Sequence, residues 1–329
     1  MSTKSNITVI VPTINRQNDL SRLLASIAKN TKLPNQLIVV EQGDMKKTEQ
    51  LPELLSLRTK IEDVSIIYSN QASLVRARNV GIEHAHGELI VFLDDDAILA
   101  RNYFENLIKI ANEYKDVKIF AGVFDMPDSS LFSIILNRLI GVIFCVSHPF
   151  TSRNIIMPSG HNVLRAYKSK KPIYVEWTSG LNMLVRKEVL NVGLRFYEGF
   201  TKYSLGEDAF FTYSVYKKYG KRSILVHPDL KLKHSYSQEG RLHNQQLIKM
   251  RIIYKYIFWK KLVKKYRYQS ICYVLSEVLL SALYIVQSDN IILSLKNTIK
   301  AYTYLLKHKK DILNRKIDYD NFILSEFSR

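Results

Sequence analysis

Three consecutive carboxylates, Asp94, Asp95 and Asp96, close the apolar run Glu88–Leu93. Like charges packed this tightly raise one another's pKa unless something positive binds among them. A hard divalent cation, Mg²⁺ or Mn²⁺, shared between carboxylate and phosphate oxygens is the physical remedy. A solvated acidic turn is the alternative. A second acidic pair, Glu207 and Asp208, follows Gly206 and opens a helical stretch. There it can answer the helix dipole or present one carboxylate as a general base. His234, in the segment KLKHSYSQEG, is a competent nitrogen ligand for a borderline divalent ion. It can equally be a hydrogen-bonded loop residue. His227 stands before Pro228 and reads as a structural turn.

These groups need elements to hold them. Ile7–Pro12 (ITVIVP) and Gln36–Val40 (QLIVV) are continuous β-branched runs, as expected of buried parallel strands. Between them Leu20, Leu23, Leu24 and Ile27 recur at helical spacing, with Asn18 or Asp19 available as a cap and Ala28 as the end. A helix around Leu51–Arg58, a short strand at Val64–Tyr68, a helix over 72–85 and the strand Glu88–Leu93 follow. Strand and helix alternate at βαβ intervals, so the spacing predicts an α/β fold with a mostly parallel central sheet and flanking helices. Ligands of such sheets gather beyond the carboxyl ends of the strands. Thr13–Arg16, Glu41–Asp44 and Asp94–Asp96 all fall at that edge.

Further on, Ile119–Val123 reads as a strand and Leu131–Val146 is strongly apolar. Glu176–Val185 leads into a turn or short helix at Lys187–Val192. Gly206–Tyr219 reads as a helix and Ser223–Val226 as a short strand. From about Leu242 the pattern is helical to the end, with no Gly or Pro after Gly240, which sets an expected boundary near 240. The expected domains are 1–240, catalytic, and 241–329, helical.

Composition is that of a globular protein, 47% hydrophobic and 24% charged, and excludes a disordered chain. Cys145 and Cys272 lie far apart in apolar runs, which argues for buried thiols and against a disulfide framework or zinc site. Ile7–Pro12 is too short for a secretory signal, so the chain is expected in the cytoplasm.

The blocks VIVPTINR (9–16), LVRARNVGIEHAHGELIVFLDDD (74–96), WTSGLNMLVRKEVL (177–190) and GEDAFF (206–211) together resemble glycosyltransferase family 2, the inverting enzymes with the GT-A fold. The resemblance runs in family order over about residues 7–235. It implies that Pro12 and Thr13 border the nucleotide pocket and that Glu41, in EQGD, stands where the family has an aspartate reaching the nucleobase. Arg78 and Asn79 match a segment lining the donor site. Asp94 and Asp96 match the ends of the DxD motif, with Asp94 nearer the ribose, Asp96 on the metal and Asp95 as the variable middle residue. Ser179 and Gly180 match a small-residue turn beside donor sugar and acceptor. Asp208 matches the catalytic base, with Glu207 as its substitute, and His234 the histidine that completes the metal shell in some relatives.

The resemblance also implies the reaction, a single displacement assisted by Mn²⁺ or Mg²⁺ from a nucleotide-sugar, a UDP-sugar first among the donors. The acceptor is expected to be a glycan or lipid-linked glycan, in bacterial capsule or lipopolysaccharide synthesis. Two other classes remain as alternatives. A nucleotidyltransferase of related fold is disfavoured because no glycine precedes Gly43, leaving no early Gly-rich triphosphate loop. A nucleic-acid-binding protein would use the chain's net charge of +18. The acidic crevice would repel such a polyanion, so no nucleic-acid partner is expected.

The charge is uneven, with 17 Lys/Arg against 6 Asp/Glu in residues 241–329. Lys249–Arg267 holds eight basic residues, no acidic one, and interleaved Ile, Tyr, Phe, Trp and Leu. On a helix this reads as a polybasic amphipathic anchor for an anionic membrane surface. Ile271–Val286, interrupted by Glu277, falls short of the roughly 20 apolar residues of a span. The expected location is thus peripheral, on the inner face of the cell membrane. Packing of the same stripes within the protein, or in a homodimer, is the alternative.

Overall fold

A computed structural model describes residues 6–125, 139–200, 204–235 and 244–325. Residues 131–138 of the apolar stretch Leu131–Val146 lie outside them, as does 236–243, where the helical tail was expected to begin. The chain forms two compact units. The first comprises Met1–Pro127, Ser152–Asn154 and Leu164–Gly240; the second Asp128–Thr151, Ile155–Val163 and Arg241–Arg329.

In the first unit, strands β1 (Ile7–Thr13), β2 (Gln36–Glu41), β3 (Asp63–Tyr68) and β4 (Leu89–Leu93) are mutually parallel in the order β3-β2-β1-β4. Residues of β1, β2 and β4 are buried throughout, as their unbroken apolar runs require. The rest of the sheet is mixed. Strand β10 (Asn182–Arg186) lies antiparallel between β4 and β6 (Ile119–Phe124). Strand β11 (Ile224–His234) runs parallel to β6 and antiparallel to β5 (Ala97–Leu99) and β9 (Ile173–Tyr174). A bulge between His227 and Lys231 lets β11 run on past Pro228 to His234, well beyond the expected end at Val226.

These pairings deliver the polar groups. Parallel β1, β2 and β4 end at the same edge. Because β10 is antiparallel to β4, with Asn182 opposite Leu93, its leading turn Ser179–Gly180 arrives at that edge too. The β11–β5 register sets His234 opposite Ala97, next to Asp96.

Helix α1 (Gln17–Ala28) packs Leu20, Leu23, Leu24 and Ile27 into the core. Its expected cap is corrected: Arg16 occupies the N-cap position with no side-chain cap, and buried Asp19 instead pairs with Arg16 and Arg22. Helix α2 is Met45–Glu49, α3 Pro52–Arg58, α4 Leu74–His84, α5 Tyr103–Glu113 and α6 Lys187–Asn191. Helix α7 (Glu207–Tyr219) starts at Gly206, whose φ of +84° is a left-handed conformation that glycine adopts without penalty.

The second unit holds the antiparallel pair β7 (Ile155–Ile156) and β8 (Asn162–Val163), α8 (Asn244–Phe258), a π-turn at Trp259–Val263, α9 (Tyr268–Val286), α10 (Ile291–Leu313) and α11 (Asp320–Leu324). Here the expected anchor over 249–267 is corrected in its first half. Ile252, Ile253, Ile257, Phe258 and Trp259 are buried, and so are Lys249 and Arg251. Lys249 Nζ donates to the carbonyls of Phe322 and Ser325, at 3.2 and 2.9 Å, and burial pulls its pKa down to about 8. Glu277 does not interrupt an exposed apolar face, because it is buried too. It accepts from Arg251 (3.2 Å), Lys255 (2.7 Å) and Tyr302 (2.6 Å). Cys145 and Cys272, expected to be buried, are free thiols of intermediate exposure, and partial burial pushes the Cys145 thiol up to about 11.

Candidate active site

The three aspartates turn out to have different partners. Asp95 is the most firmly held, accepting from Thr13 Oγ1 at 2.8 Å and Arg16 Nη1 at 2.6 Å, with 3% exposure. Burial, opposed by Arg16 and Thr13, pushes its pKa up to about 7. The residue expected to be variable therefore locks the aspartate turn to the end of β1. Asp96 faces Arg16 Nη2 at 3.5 Å and His234 Nε2 at 3.0 Å. Its oxygen and the imidazole nitrogen form the mixed donor set that a borderline divalent ion accepts. Among the described residues, no group of three or more His, Cys, Asp or Glu side chains is set to hold an ion by itself. Any ion here would need ligand oxygens to complete its shell. Asp94 is the open member, 32% exposed, and accepts from Arg78 Nη2 at 2.9 Å.

Arg78 is the organising cation. It is 1% exposed, yet it reaches Asp94 with one arm and Glu207 Oε1 with the other, each at 2.9 Å, and lies 5.2 Å from the Phe196 ring. The carboxylates around it more than offset its desolvation and hold it charged. Gly180 explains how this fits: a Cβ there would stand 2.9 Å from both Nη1 and Nη2.

Asp208 accepts from the Gly180 amide at 3.1 Å and from its own helix at Ala209 N, 2.6 Å. Burial pushes Asp208 upward, and burial with Asp208 beside it pushes Glu207 up to about 8. The two acids thus divide the work. Glu207 is taken up by Arg78, while half-buried Asp208 is aimed by two backbone donors. Glu207, expected as the substitute base, is thus occupied by its ion pair with Arg78.

Two residues expected on the donor side are engaged within the protein. Glu41 is fully buried, and its own turn uses both oxygens. Oε1 accepts from the amides of Asn15 (3.2 Å) and Gly43 (2.7 Å), and Oε2 from Thr48 Oγ1 (2.6 Å). Asn79 pins the loop before α7, exchanging hydrogen bonds with the Phe196 backbone at 2.9 and 3.0 Å and reaching Glu198. Pro12 and Thr13 end β1 beside the aspartates, and Ser179 adjoins Gly180, its hydroxyl 3.4 Å from the Leu181 amide. Sequence reasoning placed Arg16 at the edge but gave it no role. Its signal was a lone cation directly after β1 and facing an acidic triplet.

Comparisons with known proteins converge on one family. The model of Glycosyl transferase family 2 matches residues 8–167, just under half of the chain. Glycosyltransferase GlyA of Streptococcus pneumoniae is 33% identical over 117 residues, 35% of this chain and 16% of GlyA. An uncharacterized glycosyltransferase of Rickettsia bellii is 28% identical over 109 residues, 33% of this chain and 15% of that protein. The chain thus spans about a sixth of these relatives' length. Among solved structures, Staphylococcus aureus TarS 1–349 superposes with a TM-score of 0.56 at 15% identity, over 94% of this chain and 83% of that one. The mannosyltransferase PcManGT of Pyrobaculum calidifontis, in complex with GDP-Man and Mn²⁺, gives 0.53 at 16% identity, over 92% and 75%. GalNAc-T7 with UDP, GalNAc and Mn²⁺ gives 0.56 at 15%, over 94% and 58%. At these identities the structural likeness establishes the fold, which is GT-A.

Proposed function

With residues 8–167 in glycosyltransferase family 2 and the chain on a GT-A fold, we propose that this protein moves a sugar from a nucleoside-diphosphate-sugar to an acceptor hydroxyl, inverting the anomeric centre. The observation that carries the reading is the separation of roles around Arg78. Asp208 is held by backbone amides near a buried cation whose two arms are already filled by Glu207 and Asp94.

Asp208 removes the proton from the acceptor hydroxyl as its oxygen attacks the anomeric carbon, and the bond to the diphosphate breaks. Its upward-shifted pKa strengthens it as a base near neutral pH. The Gly180 amide fixes its direction. Asp94, the most accessible of the three aspartates, is positioned by Arg78 to meet the donor, and Thr13 with Arg16 keeps the aspartate turn rigid through Asp95. Asp96 and His234 are the pair that would hold Mn²⁺ or Mg²⁺ together with the donor's phosphate oxygens. When bound there, such an ion would neutralise charge developing on the leaving diphosphate.

A UDP-sugar is our first choice of donor, and Mn²⁺ accompanies UDP in one structural neighbour and GDP-Man in another. Naming of relatives such as TarS, a poly(ribitol-phosphate) β-N-acetylglucosaminyltransferase, supports a cell-surface glycan as acceptor.

Calorimetry with UDP-sugars, GDP-sugars and Mn²⁺, paired with transfer assays, tests the division of labour. Asp208→Asn should bind donor and Mn²⁺ like the wild type while transfer falls roughly 10²–10⁴-fold. Asp96→Ala should lose metal-dependent donor binding. Loss of donor binding in Asp208→Asn, together with normal transfer by Asp96→Ala, would refute the assignment.

A further inference from the structure

Helix α9 carries its polarity inside out, and α10 leaves a second apolar stripe facing outward. In α9 the buried residues are Gln269, Tyr273, Ser276, Glu277 and Ser281. The outward ones include Ile271 (64% exposed), Val274 (59%), Val278 (59%) and Val286 (71%). In α10 the buried face mixes Ser294, Asn297 and Thr298 with Ala301, Leu305 and Ile312, while Ile292 (69%), Leu295 (47%), Ile299 (57%) and Leu306 (68%) face outward. A helix of a water-soluble protein turns its apolar stripe toward the core. Here the inner faces are joined by polar bonds instead. Tyr302 of α10 donates to Glu277 at 2.6 Å and lies 2.9 Å from Ser281, while Arg251 and Lys255 of α8 close the network.

We propose that the outer faces of α9 and α10 form a hairpin that lies in the interface of an anionic lipid bilayer. Apolar area alone would not choose this partner; charge does. Outward α9 carries no charged residue, since Glu277, its one ionisable acid or base of full charge, is turned inward. Immediately before it stand Lys260, Lys261, Lys264, Lys265 and Arg267, all exposed. Along α10, exposed Lys296, Lys300 and Lys307 recur at the helical spacing of the apolar stripe and border it. Apolar residues edged by lysines whose stems can bend toward phosphate headgroups are the pattern of an interfacial helix.

The same lysines decide against crossing. Helix α9 has 19 residues and a mean hydropathy of 1.6, enough by length and composition to span a bilayer. Yet α10 is bonded to it through Tyr302, next to Lys300, and a crossing α9 would carry Lys300 to the middle of the hydrocarbon, where a lysine is costly. Lying flat leaves every lysine at headgroup level. The expected anchor therefore moves along the chain: α8 packs inside the unit, and its role passes to the two helices after it.

Flotation of the full chain with vesicles of phosphatidylglycerol and phosphatidylcholine, scored by binding alone and so independent of any transfer reaction, tests this. The wild type should float with anionic vesicles and much less with pure phosphatidylcholine. Val278→Asp with Ile299→Asp alters two exposed positions and should keep the wild-type melting temperature while binding falls at least about tenfold. Changing Lys260, Lys261, Lys264 and Lys265 to glutamine should weaken binding on the order of a hundredfold at low salt. Wild-type protein that stays at the bottom with anionic vesicles at low salt overturns the proposal. So does a stable dimer in solution that the two aspartate substitutions dissociate, since a second copy would then be what covers the face.

Discussion

Gly180→Ala should damage catalysis without replacing a single ionisable group. The added methyl would stand 2.9 Å from Nη1 and Nη2 of Arg78 and 3.2 Å from its Cζ. Ordinarily an arginine tip yields at little cost, because it ends a flexible chain. This one is 1% exposed, bonded to Asp94 and Glu207 at 2.9 Å each, and packed near Phe196. Restoring normal contact needs a displacement of about 0.5 Å or more, which stretches both ion pairs together. Overpacking of this kind costs about 1–3 kcal/mol of stability. Misplacing Asp94 and the Gly180 amide that orients Asp208 should lower kcat roughly 10–10²-fold. Urea melts give the first quantity, and initial rates at saturating donor and acceptor give the second. A Gly180→Ala enzyme with wild-type stability and wild-type kcat would show that Arg78 does not organise the site.

Two further outcomes rest on the buried carboxylates. The acid limb of the kcat/KM profile should lie above the 3.8 of an ordinary aspartate, because burial raises Asp208, and Glu207→Gln should leave it in place, since Glu207 still holds its proton where Asp208 titrates. Glu207 holds its proton more tightly folded than unfolded, so its stabilising contribution is full below 4.5 and lost as pH rises through about 8. Melts across that range should therefore fall less steeply for Glu207→Gln than for the wild type. In the second unit, Glu277→Ala leaves Arg251 and Lys255 buried without their shared acid and should cost about 3–5 kcal/mol in urea melts.

The parallel half of the sheet was legible because buried β-branched runs have one good reading. So was its polar edge, since each run ends in residues that cannot enter a core. The mixed half was legible only in part: β6 and the start of β11 showed as apolar runs, but β5 and β9 are only three and two residues long and carry no periodicity to detect. Roles within the site were partly hidden for a related reason. Composition marks a carboxylate as expensive to bury but not which neighbour compensates it. Glu41 was compensated by its own turn, Glu207 by Arg78 and Asp95 by Arg16, all at distances no linear pattern encodes.

The helical unit shows the limit most sharply. Lys249–Arg267 and Tyr268–Leu313 both mix apolar with polar residues at helical spacing, and such spacing says which side chains share a face, not which face turns inward. In water the apolar face would be assigned to the core. That assignment holds for α8, where Ile252, Ile253 and Ile257 are buried, fails for α9, and holds only in part for α10, where Ala301, Leu305 and Ile312 are buried but Ile292, Leu295 and Ile299 are not. The reversal has a physical cause within the sequence. Arg251 and Lys255 of α8 are two cations that need a buried acid, and Glu277 is the acid that α9 offers. Once Glu277 faces α8, the helix is committed: Ser276 and Ser281, close to it on the same side, turn inward, and Ile271, Val274 and Val278 must turn out. A buried ion-pair cluster, worth little as net stability, here sets orientation. The outward apolar face is thus a consequence of the charge placed inside, so the partner that covers it should be sought among surfaces that also answer the exposed lysines.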